Sequence, residues 1–205
     1  ELGNLSNLIE LSIASNYDLA GSIPSAFGNL KKLERLTLNV SSIGGQLPSE
    51  MGEMTNLQEL VLGPNQISGP IPSEIGNLAN LRVLALFELN LTGSIPPALG
   101  DLSSLERLAL QGNILTGTIP VELGNLTNLK NLYLYENALS GEIPTTILNL
   151  VNLEDDNWYW YWGFDEPAGL GYNKLTSSDP TVIAFLNAKA PGWVDTQTIP
   201  PTDFQ

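Results

Sequence analysis

One pattern of residues recurs along most of the chain and limits the folds open to it. The motif LxxLxLxxNxLxGxIPxxLGx starts at seven positions, first 25 and then five times 24 residues apart. These positions are Leu5, Leu30, Met54, Leu78, Leu102, Leu126 and Leu150. A period this regular, with Leu, Asn, Gly and Pro at fixed offsets, is not a chance feature. Each unit can bury its apolar side only against its neighbours, so the sequence predicts a solenoid.

The fixed residues of each unit predict its local structure. Alternating stretches such as 36–38 and 108–110 send two Leu side chains inward and one side chain outward, which is typical of a strand. Gly then permits a bend, and Ile-Pro favours an extended return. An Asn recurs where the chain leaves the strand, and we expect its buried amide to satisfy turn backbone groups of its own and adjacent rungs. This column contains Asn16, Asn65, Asn113, Asn137 and Asn173, with Ser41 and Leu89 as departures.

These units resemble the plant-specific type of leucine-rich repeat, which is found in receptor-like kinase ectodomains, polygalacturonase inhibitors and some bacterial surface proteins. The resemblance covers residues 1–153 closely. It implies an α/β solenoid, a right-handed superhelix with a parallel β-sheet on its concave side. We predict six regular rungs, one irregular rung and a helical C-terminal cap.

The repeat is interrupted after residue 153. We assign residues 154–178 to an irregular final repeat with an insert rich in Trp and Tyr, and residues 179–205 to a helical cap and exit linker. Asp179-Pro180 supplies an N-cap and first-turn signal for a short helix, and Trp193 is expected to cover the last rung. The cap resembles the ends of leucine-rich repeat arrays in large bacterial secreted and surface proteins. Plant receptor ectodomains normally carry paired cysteines at their caps, so the absence of cysteine favours the bacterial resemblance.

The composition excludes several classes of function. The chain has no Cys and no His, which removes thiol nucleophiles, histidine acid–base chemistry and ordinary zinc sites. We therefore expect no catalysis, no cofactor and no metal site. Eight Lys and Arg against 22 Asp and Glu give a net charge of −14, which repels nucleic acid and anionic lipid surfaces. Apolar residues never run unbroken for the roughly 18 positions that a span requires, so no direct membrane insertion is expected.

Four columns of residues on the concave strands are predicted to face out, and large rings gather toward their C-terminal half. The candidate ligand-binding residues from these columns are Phe87, Glu88, Arg107, Gln111, Tyr133, Tyr135 and Glu136. Exposed clusters of aromatic and polar residues are typical of binding hot spots. The alternative is that solvent-facing strand positions simply tolerate aromatics, which favour β-strands. We favour the binding interpretation, with the rings as anchors and the charged residues setting polarity.

The insert supplies further candidates, in which Trp and Tyr alternate from Trp158 onward. Trp158, Trp160 and Trp162 would share one face of an extended segment. They form either a lid over the end of the array or a platform for a ligand, and a glycan is a possible partner because such rings stack on sugars. The flanking acids, Glu154, Asp155, Asp156, Asp165 and Glu166, lack calcium-loop spacing, and solvated acids are the favoured interpretation.

The sequence thus predicts a non-catalytic, extracellular or cell-surface module that binds a protein or peptide on its concave face. The acidic surroundings favour a basic or neutral partner. One alternative is a structural or adhesive element of a larger cell-surface protein, with glycan binding through the insert. Another is a fragment of a plant receptor ectodomain. The identity of the ligand and the oligomeric state stay open.

Overall fold

The computed structural model describes residues 2–154, 169–190, 193–195 and 197. Short parallel strands form one sheet on the concave side. The central Leu of each strand faces the core, half-buried in the first strand and buried in the other five, and its two neighbours lie on the opposite face. This inner sheet contains six strands, β1 (Glu10–Ser12), β3 (Arg35–Thr37), β5 (Glu59–Val61), β7 (Val83–Ala85), β9 (Arg107–Ala109) and β11 (Asn131–Tyr133). Equivalent residues of consecutive units lie in register, as Leu84 does with Leu108.

A second parallel sheet lies on the outer side of the solenoid, where the LxG stretches of consecutive units pair. Its seven strands are β2 (Ala20–Ser22), β4 (Ser42–Gln46), β6 (Gln66–Pro70), β8 (Asn90–Ser94), β10 (Ile114–Gly117), β12 (Ala138–Glu142) and β13 (Lys174–Thr176). The two sheets of one continuous winding chain confirm the predicted α/β solenoid.

Each unit closes through a 3₁₀ turn that follows the Pro of the motif. The turns are Ser25–Asn29, Ser49–Glu53, Ser73–Asn77, Pro97–Asp101, Val121–Asn125 and Thr145–Asn149, preceded by a short turn at Leu2–Asn4. The glycine that recurs in these turns has a steric cause at Gly76, where a Cβ would overlap the carbonyl oxygen of Ala98 in the next unit. A larger residue there would push two rungs apart.

One hydrophobic core runs through the solenoid between the two sheets and the turns. The C-terminal end is covered by helix α1 (Pro180–Lys189), which begins where predicted. The Asp179 side chain accepts hydrogen bonds from the backbone N–H groups of Thr181 and Val182, as an N-cap should. Helix residues Val182 and Leu186 are buried in the core, and Trp193 is buried as well, so the predicted shielding of the end is confirmed.

A ladder of side-chain amides joins consecutive rungs. Asn113 donates to the carbonyls of Leu86 and Leu110 at 2.7 and 2.9 Å and accepts from the N–H of Leu91 at 3.1 Å. Asn65, Asn137 and Asn173 make the same three kinds of bond, which confirms the predicted structural role.

Three positions of the Asn column differ from this pattern. Asn16 is exposed and donates within its own turn to the carbonyl of Ala14. Leu89 instead joins the hydrophobic core, and the buried hydroxyl of Ser41 has no hydrogen-bond partner. The outer strands still pair at the units that contain Ser41 and Leu89, because β4 pairs with β6 and β6 pairs with β8.

Candidate ligand-binding surface

A second apolar cluster, separate from the core, lies on the concave face of β7, β9 and β11. This concave cluster consists of Ala85, Phe87, Ala109, Tyr133 and Tyr135, with Val61 and Val83 packed against it and partly exposed. The Tyr133 and Tyr135 rings meet edge to face, with centroids 6.5 Å apart at 84°. The structure therefore brings together the three rings that the sequence singled out.

The expected exposure of these rings is wrong. Phe87 is 1% exposed and Tyr133 and Tyr135 are each 7% exposed, while Gln111 between them is 5% exposed. The physical reason lies in the neighbouring strands, since small side chains at Ala85 and Ala109 allow large rings on the same face to pack over them. The cluster forms an apolar floor. The accessible apolar residues beside it are Val61 and Val83, which are partly exposed.

Two buried amides on this floor have unsatisfied atoms. Asn131 is fully buried, and its Oδ1 accepts from Arg107 Nε at 2.9 Å, but its Nδ2 has no hydrogen-bond partner. The Oε1 of Gln111 also has none. A buried polar atom without a partner costs about 1–3 kcal/mol. Sequence reasoning missed Asn131, although its place in the first outward column next to Arg107 identified it as a concave residue.

Two carboxylates border the concave cluster at the ends of β7 and β11. Glu88 and Glu136 are half-buried and lie in equivalent positions two rungs apart, with Gly112 at the equivalent position between them. Burial raises the pKa of the Glu88 carboxyl, and the negative charge of Glu136 raises this pKa further. These two predicted site residues therefore interact electrostatically.

The other edge of the inner sheet carries ion pairs that link rungs. Glu106 accepts from Arg82 Nε at 2.7 Å and from Lys130 Nζ at 3.1 Å, and these hydrogen bonds lower the pKa of the Glu106 carboxyl. Glu10 pairs with Arg35 at 2.7 Å nearer the N-terminus. Exposed pairs of this kind contribute little to stability, but they fix the charge pattern along one edge of the face.

The residues of the insert that the sequence singled out are not part of this surface as the structure describes it. Trp158, Trp160 and Trp162, together with the acids 155–156 and 165–166, lie outside the described residues. Within the described ranges, no group of three or more acidic residues is placed to hold a metal ion. The same ranges contain no helix with the length and apolar character needed to cross a bilayer.

Comparisons with known proteins agree with this architecture. The family model "Leucine Rich Repeat" matches residues 56–78, 104–126 and 128–150. The ectodomain of the receptor kinase GASSHO1/SCHENGEN3 from Arabidopsis thaliana, solved with CASPARIAN STRIP INTEGRITY FACTOR 2, is 39% identical with a TM-score of 0.77, over 87% of this chain and 20% of that one. The Arabidopsis receptor kinase HAESA, solved with the peptide hormone IDA and the co-receptor SERK1, is 32% identical with a TM-score of 0.76, over 89% of this chain and 28% of that one.

A plant ice-binding protein is also similar, at 36% identity and a TM-score of 0.65, over 68% of this chain and 45% of that one. No curated protein sequence matches the chain significantly. The chain spans about a fifth of the first of these two receptor structures and less than three tenths of the second.

The fold and the concave surface together define the class of this protein, an α/β leucine-rich repeat solenoid. Its repeats are of the plant type. Solenoids of this kind are typically non-catalytic binding modules.

Proposed function

We propose that the chain binds a protein or peptide ligand, without catalysis, on the concave surface around β7, β9 and β11. The observation that carries the proposal is the concave cluster, an apolar floor outside the core, beside which the buried Gln111 and Asn131 carry unsatisfied atoms. Apolar floors with a few convergent polar groups are typical of ligand sites. Similar ectodomains were solved with peptide ligands, among them RGFR1 with RGF2 and HAESA with IDA.

The residues have separate roles in this proposal. Phe87, Tyr133 and Tyr135 hold the floor rigid, and a ligand covers the accessible Val61 and Val83 beside them. Polar groups at the border, namely Arg107, Glu88 and Glu136, set the orientation of the ligand. A preorganised sheet needs little ordering on binding, which favours affinity. Trp158, Trp160 and Trp162 stay predicted contributors.

We place the protein outside the cell or at a cell surface, as the similarity to receptor ectodomains supports. The cap resembles those of bacterial surface proteins, so a bacterial surface array is the form we propose. Nucleic acid is not a partner in this proposal, because the net charge is −14.

The experiment is peptide selection followed by matched variants. A displayed library of random peptides is selected on immobilised wild-type protein, and the binding of enriched peptides is measured by calorimetry. Val83→Lys places a charge on the accessible edge of the concave cluster, and Thr116→Lys places the same charge on the outer sheet. We expect affinity to fall at least about tenfold in Val83→Lys, because a cation must be desolvated in an apolar contact. Equal affinity in both variants would sink the proposal.

A second function has a specific observation in its favour. The strands β4, β6, β8 and β10 contain no charged residue, although 15% of the chain is charged. On their outward side the exposed Ser94 and Thr116 lie in register on adjacent strands, at the spacing of about 4.8 Å, and Thr92 is exposed on the same strand as Ser94. A regular, uncharged hydroxyl array can order a layer of water, and a similar structure is that of a plant ice-binding protein.

The same pair of variants separates this function from the first. Inhibition of ice recrystallisation by the wild-type protein, lost in Thr116→Lys and kept in Val83→Lys, would establish an ice-binding outer sheet. Absence of inhibition by the wild-type protein would eliminate it.

A further inference from the structure

The units that start at Met54 and 24 residues later are joined by an unusual junction at the edge where their inner strands end. We call this edge the exit junction. The ladder residue here is Leu89, whose side chain can neither donate nor accept a hydrogen bond. The N–H of Ile67 therefore has no acceptor on residue 89, whereas the equivalent N–H of Leu91 donates to Asn113 Oδ1 at 3.1 Å. The ladder of amides is thus interrupted at the exit junction.

The backbone bonds across the exit junction are also weaker than those elsewhere. Pro64 has no N–H, so it cannot make the bond that the equivalent Glu88 makes to the carbonyl of Gln111 at 2.9 Å. The next N–H along the chain, that of Asn65, lies 3.4 Å from the carbonyl oxygen of Glu88. Good bonds of this type are about 2.7–3.2 Å long, and the equivalent bond two units later is 3.1 Å long.

The opposite edge of the same two units is well bonded. Asn80 Nδ2 donates to the carbonyl of Thr55 at 2.9 Å, and β5 and β7 stay paired in register. The ladder departure at Ser41 differs from the exit junction, because a backbone bond from Ser15 to Asn39 at 3.0 Å remains beside it. Each unit of a solenoid contacts only its neighbours, so the array opens first where the links between two units are weakest.

The exit junction lies beside the accessible part of the concave surface. Val61 belongs to the unit before the junction and Val83 to the unit after it, and both are partly exposed. The two backbones approach closely here, since a Cβ at Gly63 would overlap the carbonyl oxygen of Phe87. Movement at the junction therefore changes the relative position of the two valines.

We propose that the concave face flexes at the exit junction and that a ligand covering Val61 and Val83 keeps the junction closed. The strand ends separate while the well-bonded opposite edge serves as the hinge. A ligand that contacts both units binds the closed arrangement better, so binding shifts the population toward it. Flexing does not depend on the proposed function, whereas closure by a ligand rests on it.

Amide hydrogen exchange of the free protein, followed by NMR on isotope-labelled material, tests the flexing. Protection factors are compared between equivalent amides. The N–H groups of Leu62 and Leu110 donate to carbonyls of the next unit at 3.0 and 2.9 Å, so their own bonds are alike. We expect Leu62 to be at least about tenfold less protected, because the loss of one net hydrogen bond shifts an opening equilibrium by about this factor. Ile67 should be less protected than its equivalent Leu115 by a similar factor.

Two variants change the ladder at matched positions. Leu89→Asn supplies the missing amide and should raise the protection of Leu62 and Ile67 to that of their equivalents. Asn113→Leu removes the amide one unit later and should lower the protection of Leu91, which donates to it. Equal protection of Leu62 and Leu110 in the wild-type protein would overturn the flexing. Fast exchange confined to Ile67 would overturn it too, because that pattern reports a single unbonded amide.

The peptide selected on the wild-type protein tests the closure. We expect saturating peptide to raise the protection of Leu62 at least about tenfold and to leave that of Leu139, far from the junction, unchanged. A bound peptide that leaves Leu62 unchanged would overturn the closure while the proposed function stands. Binding that Val83→Lys does not weaken would overturn the proposed function and the closure together, and the exchange of the free protein would still decide the flexing.

Discussion

The Gln197 side chain makes the same pair of hydrogen bonds to the last rung of the solenoid that the Asn113 side chain makes in the middle of the array. Gln197 Nε2 donates to the carbonyl of Leu170 and its Oε1 accepts from the N–H of Leu175, both at 2.9 Å. These partners lie 27 and 22 residues earlier in the chain, the same offsets that separate Asn113 from Leu86 and Leu91. Gln197 is therefore the last amide of the ladder.

The first prediction concerns this terminal amide. Gln197→Leu should lower the free energy of unfolding by about 1–3 kcal/mol, because it leaves backbone groups of the last rung without partners. Asn16→Leu is the matched control, since the exposed Asn16 bonds only within its own turn, and should change stability little. Urea unfolding of both variants measures the difference, and equal effects would show that Gln197 does not cap the ladder.

The second prediction concerns the buried rings. Phe87→Ala should destabilise the fold by about 3–5 kcal/mol, as expected for an aromatic side chain that is 1% exposed. Phe87→Leu should cost much less because it leaves a smaller cavity. A thermal melt of Phe87→Ala that matches wild type would show that the ring lies on an open surface.

The third prediction is an opposite pH dependence for two acids. The pKa of Glu88 is raised in the folded state, so this carboxyl favours folding below its unfolded pKa and opposes it as pH rises through the folded pKa. Glu88→Gln should therefore stabilise the protein at neutral pH and lose this advantage in acid. Denaturant unfolding at several pH values measures the trend.

Glu106 should behave in the reverse way. Its pKa is lowered by Arg82 and Lys130, so its contribution is present above the unfolded pKa and lost as pH falls through the folded pKa. Glu106→Gln should destabilise the protein at neutral pH by less than about 1 kcal/mol, since exposed ion pairs are weak. If the free energies of unfolding of Glu88→Gln and Glu106→Gln, relative to wild type, changed with pH in the same direction, the raised pKa of Glu88 and the lowered pKa of Glu106 would both be contradicted.

The fourth prediction uses a departure from the ladder. The Ser41 hydroxyl is buried without a partner, so Ser41→Ala should leave stability unchanged or raise it by up to about 1 kcal/mol. Calorimetric melting measures the change. A clear loss of stability would mean that the hydroxyl has a partner in solution.

Most of the fold could be predicted because the repeat dictates it. The period fixes the strands, the Asn column fixes the ladder, and Asp179-Pro180 fixes the start of α1. The role of Gln197 was not predicted, although it lies 24 residues after Asn173, the spacing of the Asn column. Its residue type differs from that column, and the path of the chain after α1 brings it to the last rung.

The site was predictable in part. The columns correctly grouped Phe87, Tyr133 and Tyr135 on one face. Their burial depends on how side chains from neighbouring strands pack across Ala85 and Ala109, and a one-dimensional pattern carries no information on that packing. The interaction between Glu88 and Glu136 likewise depends on the glycine that separates them.

Photo-cross-linking of a selected peptide tests the central claim most directly. The tightest peptide from the display selection is made with a photoreactive residue at each position in turn, and adducts on the wild-type protein are mapped by mass spectrometry. The account predicts adducts on the concave face at Val61, Val83, Arg107 and Glu136, lost when unlabelled peptide competes. Adducts confined to the outer sheet, at Thr92, Ser94 or Thr116, would contradict it.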